Sequence, residues 1–243
     1  MATTIMDTTM IITIPTTDST LPEGGDLQAL LRLMAWLSPA FPVGSFAYSG
    51  GLERAVHDRL VGDAVGLGEW ISTLLRHGTA RNDAVLAAEA HRAFDDAARL
   101  ADVAELAEAL AGSRERHQET MLLGEAFLSA AAAWPHPVFS LLSPKTAYPV
   151  AVGAVAGGHR IGCEKMLAAF LHALVSQAVS SGIRLGVAGQ KEGVAILARL
   201  EVDISDIARR ASRSSLDDLG SATVQADIAS VRHETQATRL FRS

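Results

Sequence analysis

Leu67, Trp70, Ile71, Leu74 and Leu75 fall at i, i+3, i+4, i+7 and i+8, which draws one apolar stripe along a helix and leaves polar residues around the rest of it. The same period recurs along most of the chain. Leu27, Leu30, Leu31 and Met34 mark an earlier helix that begins at Asp26, a residue suited to capping it, and stops before Pro39. Helical patterns also cover 46–60, 79–95, 102–111, 113–133, 189–200 and 216–233, with an Ala-rich segment at 148–156. Residues 163–181 carry Met166, Leu167, Phe170, Leu171, Leu174, Val175 and Ala178 on a broad apolar face, which puts that helix at the centre of the core.

No short β-branched runs alternate with helices at the spacing of a parallel sheet, and no two alternating runs are joined by Asn-Gly or Asp-Gly. The pattern therefore predicts an all-α fold, a single-domain bundle of about ten helices over 26–243. Residues 1–25, rich in Thr and ending Leu-Pro-Glu-Gly-Gly, read as a disordered tail. The sharpest interruption is Ser38-Pro39-Ala40-Phe41-Pro42-Val43-Gly44-Ser45, where two prolines and a glycine predict a rigid turn between helices.

Composition supports the helical reading: 49% of the residues are apolar but only 5% aromatic, so Ala, Leu and Val supply the core, and Ala and Leu lose little entropy in a helix. A formal net charge of −6 disfavours nucleic acid as a partner, since phosphate binding needs a clustered positive field. The one cysteine, Cys163, has no partner for a disulfide and suits a reducing compartment. Without Lys or Arg in the first twenty-five residues there is no secretory n-region, and the apolar stretch at Ile11 and Ile12 is too short to span a bilayer. A cytoplasmic location with no membrane association is the expectation.

Ala47-Tyr48-Ser49-Gly50-Gly51 looks like a nucleophile elbow, but that device needs a strand before the serine, and here a Pro-rich turn precedes it. A serine hydrolase using Ser49 is kept as an alternative, as is a helical regulator that binds a small ligand. None of the eight histidines lies within three or four residues of another, so no local metal set is expected. Gly186–Lys191 lacks the spacing of a phosphate-binding loop.

The stretch from Leu33 to Glu53, LMAWLSPAFPVGSFAYSGGLE, resembles the signature of the UreF family of urease accessory proteins. Ala147-Tyr148-Pro149-Val150-Ala151 with Gly153, Arg184-Leu185 before Gly189-Gln190, and Arg232-His233-Glu234-Thr235-Gln236 running into Arg239-Leu240-Phe241-Arg242-Ser243 agree with it. The likeness runs from about residue 27 to the last. It departs from the pattern at Gly50, at Val187-Ala188 and at Ala237, where relatives commonly carry a larger polar residue, Pro-Leu and an aromatic.

The resemblance implies an all-α homodimer that is not an enzyme. The resemblance further implies that it bridges UreD, called UreH in some organisms, and the GTPase UreG, and helps couple GTP hydrolysis to nickel insertion into apo-urease. No tightly held cofactor or metal is expected on this chain, since nickel is handled by the complex. Candidate partner-binding residues are Ser45, Tyr48, Glu53, Arg184, Gln190, His233, Arg239, Leu240, Phe241 and Arg242, while Pro39, Pro42, Gly44 and Gly51 shape the turn. In the tail, Leu240 and Phe241 are expected to insert into a partner pocket with Arg239 and Arg242 pairing at its rim, the rival reading being a tail packed on its own domain.

Overall fold

A computed structural model describes residues 23–243, and the chain folds there as ten α-helices joined by short turns, with no strand among the described residues. The helices are α1 (Glu23–Trp36), α2 (Leu52–His57), α3 (Ala64–His77), α4 (Thr79–Arg92), α5 (Ala97–Ala109), α6 (Arg114–Ala131), α7 (Tyr148–Gly158), α8 (Cys163–Arg184), α9 (Gln190–Ala211) and α10 (Val224–His233). The expected Thr-rich tail lies outside the described residues up to 22, and residues 23–25, assigned to it from composition, instead form the first turn of α1.

Local chemistry explains most of the boundaries. Asp63 caps α3 by accepting from the Gly66 amide at 2.8 Å, Asp96 caps α5 through two amides, and Ser113 caps α6 through that of Arg116. Pro149 sits in the first turn of α7, where its missing N–H costs nothing. Two expected helices are broken. The 46–60 pattern splits into a 3₁₀ turn, Ser45–Ala47, and α2, because Gly50 and Gly51 adopt positive φ between them. The 216–233 pattern likewise splits into the 3₁₀ turn Leu216–Asp218 and α10. The break is fixed from outside, with the Ala222 amide donating to the His77 carbonyl and the Gly220 amide to Asn82.

Every residue of α7 is buried, and its most extensive partner is α4. The two helices meet through small side chains, Ala84, Ala87, Ala88 and Ala90 on one and Ala151, Gly153, Ala154 and Gly157 on the other, which lets their backbones approach closely. Helix α8 is long and apolar enough to cross a membrane by composition alone, yet Met166, Leu167, Phe170, Leu171 and Val175 are buried against neighbouring helices. That is the central position expected for it. At one end an aromatic cluster closes the core, with Trp36 edge-on to Phe127 at 6.2 Å and to Trp134 at 5.8 Å.

The α1 stripe used to find that helix does not face inward. Leu27, Leu30, Leu31 and Met34 are between 52% and 63% exposed, and α1 packs through Leu33 and Trp36.

Candidate functional site

The turn after α1, the start of α2, the end of α10 and the last residues of the chain converge on one place. Gly44 and Gly51 hold φ of +79° and +80° at its corners, while Pro39 and Pro42 are exposed. Gly51 also lies so close to α10 that an added Cβ would come within 2.9 Å of the Ser230 nitrogen. Gly51→Ala therefore meets both left-handed backbone strain and a clash with backbone. A loss of about 2–4 kcal/mol is expected in urea unfolding, and a stability within experimental error of the parent would contradict it.

Beneath this turn, α2 presents Glu53 to the chain end. Its carboxylate accepts from the Leu240 amide at 2.7 Å and the Phe241 amide at 2.9 Å, and from His233 Nε2 at 3.1 Å. His233, fully buried at the end of α10, turns Nδ1 to Glu115 Oε2 on α6 at 2.6 Å. The other Glu115 oxygen takes Arg239. A neutral imidazole has one donor, so two carboxylates facing its two nitrogens are both satisfied when each nitrogen carries a proton. Glu53, Glu115 and His233 are buried, and the partly exposed Arg239 brings a positive charge to the Glu115 carboxylate.

The chain end continues along residues 47–50. The Arg242 amide donates to the Ala47 carbonyl at 2.8 Å, and the Ser49 amide to that of Ser243 at 2.9 Å. Ser49 Oγ also donates to the Ser243 carbonyl and accepts from the Glu53 amide. Ser243 Oγ accepts from the Gly50 amide and donates to Glu119. The Ser49 hydroxyl is thus bound into backbone contacts, with no histidine nitrogen among its hydrogen-bond partners.

Arg184, at the end of α8, donates to the Phe46 carbonyl at 2.6 Å and stacks 4.2 Å from the centre of the Phe241 ring. Tyr48 is buried, its carbonyl accepting from Gln177.

Most of the ten candidate residues meet here, but not all as expected. His233, Glu53, Tyr48 and Phe241 are turned inward, and Arg239 is paired within the chain, which corrects the picture of a free tail with Phe241 available to a partner. The reason is that Glu53 supplies acceptors for two consecutive tail amides, so the tail docks on its own domain. Leu240, Arg242 and Arg184 stay exposed and Ser45 is half-buried. Gln190, exposed at the start of α9, joins none of these contacts. Glu115, Ser49 and Ser243 had not been singled out as partners of this network. Glu115 is separated from His233 by 118 positions, and no local spacing signals such a pair.

Comparison with known proteins bears on what this arrangement serves. Residues 61–201 match the UreF family profile. A protein of Rhizobium johnstonii named urease accessory protein UreF is 75% identical over 218 residues, covering 90% of this chain and 98% of its own. One of the same name from Rhizobium etli is 73% identical over 91% of this chain and 99% of its own, and one from Agrobacterium fabrum 66% identical over 88% and 96%. On these matches, which span most of its length, the chain belongs to the UreF family of urease accessory proteins.

Proposed function

We propose that this protein is a non-catalytic cytoplasmic scaffold, a homodimer that bridges UreD (UreH) and the GTPase UreG and couples GTP hydrolysis to nickel insertion into apo-urease. The observation that carries the reading is the anchored chain end. A rigid internal network fixes the turn and the tail together, and the side chains left outside it are of the kind that dock proteins. Phe46 is 67% exposed and Leu240 60% exposed, beside the positive groups of Arg184 and Arg242. Aromatic residues and arginine are enriched in protein interfaces, and Leu240 adds apolar area beside them. The engagement of Ser49 with backbone atoms supports a structural role for that serine over a nucleophilic one.

The test is co-purification of the full chain with UreD and UreG, followed by mass measurement of the complex. A complex holding all three proteins is expected. The double variant Phe46→Asp with Leu240→Asp should retain its helicity and lose at least about tenfold in affinity for UreD. A well-folded parent protein that binds neither partner, singly or together, would sink the scaffold reading.

A further inference from the structure

A cleft of about 140 Å³ opens beside Ser49 and Gly50, between α3, α4, α6, α8 and α10, and shares with the chain-end network only Tyr48, Ser49, Gly50 and Glu119 along one wall. Its walls are apolar, including Ile71, Leu75 and Val175, and its polar lining is unbalanced. Asp83, Glu119 and Asp227 supply three carboxylates against the single guanidinium of Arg116. Arg116 pairs with one Asp83 oxygen and lies 3.6 Å from Glu119, whose second oxygen is taken by Ser243. Among the described residues, the hydrogen bond that Asp83 makes through its side chain uses Oδ2, which leaves Oδ1 without a partner on a residue that lines the cleft. Burial pushes the carboxyls of Asp83 and Glu119 above the usual carboxylate range in spite of Arg116, and a further cation beside them would favour their charged forms.

Such a lining repels anions and favours a cation. No three His, Cys, Asp or Glu side chains among the described residues converge on a point where one metal ion could sit, so the acids are spread too widely for a compact ion. An organic cation with an apolar body matches both the spread of the carboxylates and the greasy walls. We propose that this cleft is a binding site for a small alkylammonium ion, its charged head against Asp83 Oδ1 with Asp227 at the mouth, and its alkyl chain along Ile71, Leu75 and Val175. This role is separate from the scaffold reading, and a complex can form whether or not the cleft is filled.

The probe is n-butylammonium chloride, titrated into the full chain by calorimetry at constant ionic strength, with n-butanol as the uncharged counterpart. Saturable binding with a Kd on the order of 1 mM is expected for a ligand of five heavy atoms, and n-butanol should bind at least about tenfold more weakly. Asp83→Asn should weaken the ammonium ion by at least about tenfold, while the exposed Asp102→Asn leaves it unchanged. Because Asp83 also pairs with Arg116, helicity is checked alongside. If Asp83→Asn does not fold, Asp227→Asn at the exposed mouth gives the reading instead, with a weakening of about threefold. Equal binding of amine and alcohol, no saturable binding of the amine, or affinity untouched by the variant that folds would overturn the proposal.

Discussion

Glu53→Ala is expected to free residues 239–243 from the domain and to lower its stability by about 3–5 kcal/mol, the cost of removing one partner from a buried charged set. Three donors lose their acceptor at once: the amides of Leu240 and Phe241, and His233 Nε2. His233 has no exposed surface, so water cannot replace the lost carboxylate without opening the structure. Glu53→Gln separates charge from shape. Its carbonyl can serve the Oε2 position, but its NH₂ group then faces the Leu240 amide, donor against donor. A smaller loss of about 2–3 kcal/mol follows. Urea unfolding measures both, and hydrogen exchange at the amides of Phe241 and Arg242 reports the tail directly. Exchange in the Ala variant should be much faster there than in the parent, with α7 still protected. Tail amides that stay as protected as before would show that Glu53 does not hold the chain end.

That expectation rests on contacts which the sequence hides, and the contrast with what it displayed is physical. Helix type and approximate extent follow from local period and capping chemistry, so α3, α6 and α8 are legible from Leu67 through Leu75, from Ser113 and from the broad face of 163–181. Where tertiary bonds override local preference the pattern misleads. The 216–233 segment has helical spacing, yet the His77 carbonyl and Asn82 claim the amides that a continuous helix would have used. Period also fails to say which face is inside, as the exposed Leu27, Leu30, Leu31 and Met34 show.

The same distinction governs the site. The turn glycines are visible because their backbone requirement is local, and the family likeness named stretches of chain that the fold brings together. The direction of each side chain was not legible. Glu53, Glu115, His233 and Arg239 find one another only after α2, α6 and α10 have packed, and the acids of the cleft, spread from Asp83 to Asp227, share no motif.

Gly153→Ala is the second substitution with a large expected effect, and it tests whether the core is held by close backbone approach. A Cβ at Gly153 would stand 2.1 Å from the Ala87 carbonyl oxygen and 2.9 Å from its carbon, both main-chain atoms of α4. A flexible side chain could swing away, but a helix backbone can yield only by moving the whole helix. Since α7 is buried on every side, separating it from α4 also disturbs its packing on α6 and α8. A loss of about 3 kcal/mol or more is expected, which for a chain of this length lowers Tm by roughly 6–12 °C. Gly62→Ala is the matched control. A Cβ there meets nothing within 4 Å, so the change should stay within about 1 kcal/mol of the parent and act mainly through the unfolded chain. If Gly153→Ala unfolded at the same urea concentration as the control, the helices would not be as tightly apposed as their small side chains allow, and the account of the core as an Ala- and Gly-mediated contact between α4 and α7 would be wrong.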